Sequence, residues 1–247
     1  MYLLAAPVVV SVVVGVLVGQ FIVLPLVGII CGIVLQRGVA SASHSAFRVV
    51  TDSPIASEET HARVYNVVDG LCVVSGDQRP SIVLIDSAYP VAVAAVDSDG
   101  GNVIGVSQRF VNDMTRVEVE AVMAHLLWRL RVGHGRLVSY VVGLSQILSK
   151  VGLGVIAQRI SSREMSAELV TIADIAACQA TRFPPAAVSA LEKCDIVEGE
   201  VDLGAGNFLC FALPTDKQGA TSSTRKVSSL DISRPSLSER VAILKEM

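Results

Sequence analysis

The N-terminal part of the chain, residues 3–35, contains no charged side chain and reads LLAAPVVVSVVVGVLVGQFIVLPLVGIICGIVL. As one straight helix, a run of this length rises about 50 Å, whereas the hydrocarbon core of a bilayer is about 30 Å thick. Backbone groups in lipid must satisfy one another, which favours helix. We therefore predict a transmembrane element over residues 1–36, either a hairpin bent near Gly19, Gln20 and Pro25 or a single tilted span.

A cleaved signal peptide is the competing interpretation of this run. A signal peptide has a basic segment before a short apolar core, but only Met1 and Tyr2 precede this long one. The whole chain is 51% hydrophobic and 17% charged, with a mean hydropathy of +0.57, which is typical of a membrane protein. Arg37 and Arg48 follow the run and no Lys or Arg precedes it, which predicts a cell-membrane protein with its soluble domain on the cytoplasmic side.

The net charge of −3 and the aromatic content of 4% predict that the chain does not bind nucleic acid. A nucleic-acid surface normally has a basic field, and single strands also need aromatic side chains for stacking. The membrane is therefore one expected partner, and a protein of unknown identity is the other.

The rest of the chain divides into a polar, irregular juxtamembrane linker over residues 37–58 and one domain over residues 59–247. Its patterns predict a helix in 59–76, a strand in PSIVLIDS and a hairpin in VAVAAVDSDGGNVIGVSQRFV. Residues 137–156 are predicted to form an amphipathic or membrane-associated helix. The Ser/Thr-rich residues 215–231 are predicted to be a mobile loop. The fold class is thus α+β, mostly helical with a small sheet.

The segment MTRVEVEAVMAHLLWRLRVGHG has the pattern of a well-defined helix. Thr115 and Glu118 have the spacing of a capping box, which predicts a helix that begins near Arg116. Apolar residues recur three or four positions apart, and Gly133 and Gly135 are expected to end the helix. His125 therefore lies in the middle of this helix.

The order of these segments resembles the HtpX-type membrane zinc endopeptidases, which are relatives of the CAAX prenyl endopeptidases. The segments that carry the resemblance are YNVVDGLCVVSG, IVLID, the hairpin, the capped helix, IADIAACQATRFPPAAVSALEKC, FLCFALP and SRPSLSERVAILKEM. The last of these corresponds to a family pattern T-H-P-P-x-x-x-R-I-x-x-L. The resemblance implies a zincin-like (gluzincin) domain after a transmembrane segment.

The resemblance also implies where a zinc site would lie, because the family motif is H-E-x-x-H with a third ligand, a Glu, four residues before an Asp. Here His125 keeps the first ligand position, Leu126 replaces the general base and Arg129 replaces the second His. With Asp174 as the later Asp, Val170 replaces the third ligand; another register places Ser166 there. We therefore expect no catalytic residue, no bound cofactor and no metal, with His125 as the only retained ligand position.

Other residues offer weaker possibilities. His134 lies nine residues after His125, near the end of this helix, and without a second His it is not expected to complete a metal site. Glu164 and Glu168 lie four residues apart on a later helix, where they either form a solvated face or face Arg129 in place of a metal. His44 and His61 are interpreted as surface histidines.

These observations favour a membrane-anchored pseudopeptidase that is catalytically inactive and binds a protein partner or an unfolded membrane-protein segment. Pairing with a strand edge requires only backbone groups and survives the loss of zinc. One alternative is an active zinc endopeptidase in membrane-protein quality control, with a displaced site. A second is a structural subunit of a membrane complex, docked through residues 137–156.

Overall fold

The computed structural model describes residues 11, 23–97, 99–150, 152–153, 167–195, 203–212 and 235–247. The predicted bend near Gly19, the loop over residues 215–231, Glu164 and Ser166 lie outside these residues. Eight α-helices and three strands are described: α1 (Val23–Thr51), α2 (Ala62–Ser75), β1 (Ser81–Ile85), β2 (Ala92–Val96), β3 (Asn102–Ser107), α3 (Gln108–Asp113), α4 (Arg116–Arg131), α5 (His134–Lys150), α6 (Ala167–Thr181), α7 (Pro184–Asp195) and α8 (Leu237–Lys245). A short 3₁₀ helix covers Gly204–Phe208. The predicted α+β class, mostly helical with a small sheet, is confirmed.

Helix α1 is the long apolar helix of the described part of the chain. Its window Leu26–Ser43 is long and apolar enough to cross a membrane, and only 17% of that window is buried. Its exposed large hydrophobic side chains are aliphatic, among them Leu26, Ile30 and Val34. The helix continues to Thr51, so the prediction of an irregular linker over residues 37–58 is wrong for 37–51. Ser43 and Ser45 donate their hydroxyls to the carbonyls four residues earlier in the helix, and Phe47 and Val50 anchor the helix in the core.

Helix α5 packs antiparallel against α1 through small side chains. Ser43 Oγ donates a 2.6 Å hydrogen bond to the carbonyl oxygen of Ser139. A β-carbon added at Gly143 would lie 2.3 Å from Ser43 Oγ and 2.4 Å from the carbonyl oxygen of Val39. The predicted helix over residues 137–156 therefore has much of its surface against the chain's own α1. It begins at His134, so Gly135 lies inside it and only Gly133, at φ 76°, is at the end of α4.

The sheet has the strand order β1-β3-β2, with β1 parallel and β2 antiparallel to β3. Both outer strands are covered by other parts of the chain. On the β1 side, the amide of Ala56 donates to the carbonyl of Ile82. On the β2 side, the amide of Ala94 donates to the carbonyl of Leu209 at 3.2 Å, and the amide of Phe211 donates to that of Ala92 at 2.8 Å. Within FLCFALP, the described residues 208–212 form the end of the 3₁₀ helix and a short buried stretch that bridges to β2.

Helix α4 lies at the centre of the domain, between the sheet and the helices α2, α6 and α7. The predicted capping box is confirmed, because Thr115 and Glu118 exchange both of its hydrogen bonds. Both faces of the helix are buried over most of its length, including Val119, Met123 and Leu126. Tertiary packing on all sides therefore fixes the position of His125, which lies three turns from the cap.

Candidate functional site

Helix α4, which carries the changed H-E-x-x-H positions, holds His125 in the interior of the domain. The side chain of His125 has no exposed surface. Its Nδ1 atom lies 2.8 Å from Oδ1 of Asp174 on α6. The direction of approach makes this a close polar contact rather than a well-aligned hydrogen bond. On the other side, the ring of Phe211 meets the imidazole edge to face, with ring centres 5.1 Å apart. His125 and Asp174, which the family resemblance paired, are therefore brought together.

The protonation of His125 is controlled by burial. Loss of solvent lowers the pKa of His125 from 6.5 to about 4, and the nearby charges of Arg240 and Arg129 act in the same direction, although contact with Asp174 opposes them. The imidazole is therefore neutral at physiological pH. Its Nε2 atom has no hydrogen-bond partner among the residues that the structure describes.

Asp174 is held as a carboxylate by a buried arginine, Arg240 of α8. Nε and one terminal nitrogen of Arg240 donate to the two carboxylate oxygens at 2.7 Å each, and the other terminal nitrogen donates to the carbonyl of Phe211 at 2.6 Å. Burial alone would raise the pKa of Asp174, but the hydrogen bonds and charge of Arg240 outweigh it and hold the pKa far below its ordinary value. Arg240 was not predicted as a site residue, although it occupies the arginine position of the family pattern in SRPSLSERVAILKEM.

Arg129, at the second ligand position, is 1% exposed. Its side chain forms hydrogen bonds with backbone carbonyls. Its terminal nitrogens donate to the carbonyl of Phe208 at 2.6 Å and to that of Cys210 at 3.4 Å. Nε donates to Nδ1 of His134 at 3.1 Å. The segment that these carbonyls belong to is the one that pairs with β2, so Arg129 and Arg240 together fix it against the sheet edge.

The remaining family positions are apolar and buried. Leu126 has no exposed surface and Val170 is 4% exposed. Leu126 has no group that accepts a proton from water, and Val170 has no atom that binds a metal. Glu168, expected either to lie on a solvated face or to face Arg129, lies in the first turn of α6 and is exposed. His61, interpreted as a surface residue, is instead buried, with Nε2 3.1 Å from Oε1 of Gln108.

The described residues do not fit a zinc ion. A structural or catalytic zinc takes three or four His, Cys or carboxylate ligands, and the described part of the chain has no cluster of three such side chains. His125 is one ligand, but the guanidinium of Arg129 is permanently cationic and would repel a dication. Among the described residues, Arg129 and Arg240 donate hydrogen bonds to carbonyl groups here.

Comparison with known proteins finds similarity to several protease HtpX homologs. The chain is 31% identical to a protease HtpX homolog of Neisseria meningitidis over 134 residues, covering 50% of this chain and 46% of the relative. It is 22% identical to one of Listeria monocytogenes over 153 residues (54% and 50%). It is 31% identical to protease HtpX homolog 2 of Methanosarcina acetivorans over 77 residues (31% and 26%).

The chain thus spans about half the length, or less, of the curated relatives that it matches. No family model matches it, and no solved structure does. These similarities confirm the resemblance to HtpX-type proteases, and the apolar helix α1 supports a membrane location.

Proposed function

We propose that this chain is a membrane-anchored, HtpX-like pseudopeptidase, with a zincin-like domain on the cytoplasmic side that binds a protein partner and does not hydrolyse it. The observation that carries the proposal is the side chain of Arg129. At the position of a zinc-binding His, it is buried and donates to the carbonyls of Phe208 and Cys210.

The proposal follows from what replaces each part of the zinc chemistry. A zinc peptidase needs a metal to polarise the carbonyl and a carboxylate to take a proton from water. Arg129 supplies a fixed positive charge that already binds two carbonyls of the chain itself. Leu126 supplies no base, and Val170 supplies no ligand. The helix itself is retained, and the hydrogen bonds of Arg129 hold the chain's own backbone in place.

Metal analysis of the full chain, purified in detergent, tests this function. We expect substoichiometric zinc in the natural chain, no change in His125→Ala, and no cleavage of a membrane-protein substrate by either. Stoichiometric zinc that is lost in His125→Ala would overturn the proposal. The triple variant Leu126→Glu/Arg129→His/Val170→Glu restores the family's general base and its two missing ligands, and it serves as a positive control for zinc binding.

The binding mode that we propose is strand pairing along the outer edge of β2. This edge carries residues 209–211 through two backbone hydrogen bonds, from Ala94 to Leu209 and from Phe211 to Ala92. An extended segment of a partner would form the same bonds and take the place of these residues. Each of these strand bonds contributes about 1 kcal/mol net. The partner's backbone carbonyls would also have to accept the hydrogen bonds that Arg129 and Arg240 donate to the displaced segment.

A proline substitution tests the strand edge. Ala94→Pro removes the amide that donates to Leu209, and Ala94→Gly keeps it. We expect Ala94→Gly to recover membrane-protein partners by affinity purification and Ala94→Pro to lose them. Equal recovery by both folded variants would contradict pairing at this edge without affecting the result of the metal analysis.

The second candidate is an active zinc endopeptidase with a displaced site. It is favoured by the buried Nε2 of His125, which has no partner among the described residues, as expected of a ligand nitrogen. Stoichiometric zinc together with peptide cleavage in the natural chain would establish this candidate.

A further inference from the structure

The pair of helices α1 and α5 carries positive charge without any negative charge. Residues 23–51 and 134–150 contain four arginine or lysine side chains and no Asp or Glu. The four cations are Arg37, Arg48, Arg136 and Lys150. The protein as a whole has a net charge of −3, whereas this helix pair carries only positive charge. Such a helix pair is suited to an anionic partner.

The contacts between the helices place these cations at two levels. Ser43 contacts Ser139, Val39 lies beside Gly143, and Gly38 lies beside Ile147, so the sequence of α5 runs antiparallel to that of α1. One further turn toward the N-terminal end of α1 brings Lys150 to within about one helical turn of Arg37. In the other direction, Arg136 comes level with the region of Arg48.

We call Arg37 and Lys150 the upper pair, and Arg48 and Arg136 the lower pair. Both side chains of the lower pair already have partners in the chain. Arg48 lies 3.9 Å from the carboxylate of Asp52, and Arg136 donates to the carbonyl of Gly100 at 3.3 Å. The upper pair, Arg37 and Lys150, is exposed, and the described residues provide neither side chain with a hydrogen bond or an ion pair.

The upper pair also lies at the end of the apolar surface. Arg37 is the first charged residue after the uncharged run, and Ile33 and Val34, one turn before it, are exposed aliphatic residues. Long basic side chains at such a boundary extend their charged ends into the headgroup layer.

We propose that Arg37 and Lys150 form a binding site for the phosphate of an anionic phospholipid at the cytoplasmic face of the membrane. Two cations from neighbouring helices approach one headgroup, while the acyl chains lie along Ile33 and Val34. Basic residues close to an anionic membrane surface are attracted to its headgroups, and the attraction falls off within a Debye length. This site rests on the membrane anchoring in the proposed function, but not on the absence of zinc.

The test uses the full chain in vesicles of phosphatidylcholine and phosphatidylglycerol mixed three to one. After mild detergent extraction, native mass spectrometry counts the lipids that remain bound. We expect phosphatidylglycerol to be enriched several-fold over its share in the vesicle, and high salt during extraction to reduce the enrichment. Arg37→Gln/Lys150→Gln should abolish the enrichment, whereas Arg37→Lys/Lys150→Arg should keep it.

The matched control is Arg48→Gln/Arg136→Gln, which removes two positive charges from the same helices one level away. We expect this variant to keep the enrichment. No enrichment in the natural chain, or an equal loss in the control, would overturn the site. Alkaline extraction of the membranes separates this outcome from a failure of anchoring, because an unanchored chain would be released into the soluble fraction.

Discussion

Arg240 and Asp174 form a bidentate ion pair in the interior of the domain, with both nitrogen–oxygen distances at 2.7 Å. Both side chains are 2% exposed. The pair joins the C-terminal helix α8 to α6 and places the carboxylate beside His125. Each charge is costly to bury alone, so the two depend on one another.

Replacement of Arg240 by Gln should therefore lower the free energy of unfolding by about 3–5 kcal/mol, because Asp174 would remain as a buried, unpaired charge. Denaturant unfolding in detergent, followed by circular dichroism, measures the loss. Arg131→Gln is the control, since Arg131 pairs with Asp77 at 2.9 Å on a side chain that is 47% exposed. We expect that control to cost at most about 1 kcal/mol. A smaller loss in Arg240→Gln than in Arg131→Gln would show that the buried pair is unimportant.

The pH dependence of stability should show the burial of His125. Its pKa falls from 6.5 to about 4 on folding, so the unfolded chain binds the proton more readily. The contribution of this residue is therefore present above pH 6.5 and lost as the pH falls from 6.5 to 4. His125→Leu should flatten the curve of unfolding free energy in that interval only. An unchanged slope between pH 6.5 and 4 in His125→Leu would contradict a neutral, buried imidazole.

Glu118 should stabilise the start of α4 through its charge. Burial raises the pKa of Glu118, but hydrogen bonds from Lys193, Ser189 and Thr115 outweigh it and lower the pKa to about 2. This stability is present above pH 4.5 and lost as the pH falls toward 2. Glu118→Ala should cost about 1–3 kcal/mol at neutral pH by thermal or denaturant unfolding. Glu120→Ala on the same helix should change the free energy of unfolding by less than about 0.5 kcal/mol. Equal losses in the two variants would refute the prediction.

Gly143 should be required for the contact between α1 and α5. Gly143→Ala would force a methyl group against Ser43 and Val39, and we expect a loss of about 1–3 kcal/mol. Gly70→Ala is the matched control, since nothing lies within 4 Å of its added β-carbon and Gly70 lies in helix α2. That substitution should stabilise by about 0.5–1 kcal/mol. Thermal unfolding of both variants checks the pair, and stabilisation by Gly143→Ala would show that the helices are not closely packed.

Local patterns were sufficient to predict most of the elements. Thr115 and Glu118 mark the start of α4, and Gly76 ends α2 in the left-handed conformation at φ 71°. Alternating and continuous apolar runs mark the three strands. The linker prediction failed because Gly38 and the serines of 38–45 are weaker helix formers than Ala, whereas packing of this segment against α5 favours helix.

The site was predictable only in part. The family pattern placed His125, Arg129 and Asp174 in one region, and the structure brings His125 to within 2.8 Å of Asp174. The role of Arg129 was not predictable, because its partners are carbonyl oxygens of Phe208 and Cys210, which every residue type possesses. Contacts to the backbone leave no signature in the side chains of the segment that is bound.

The cover of the β2 edge by residues 209–211 has a consequence for synthesis of the chain. Val93 emerges from the ribosome long before Cys210, its partner across that edge. During this interval the nascent domain presents an open strand, which is a template for pairing with other chains. With the membrane anchoring that we propose, such pairing would occur between neighbouring nascent chains on one membrane, so slow translation of the last residues should increase aggregation there.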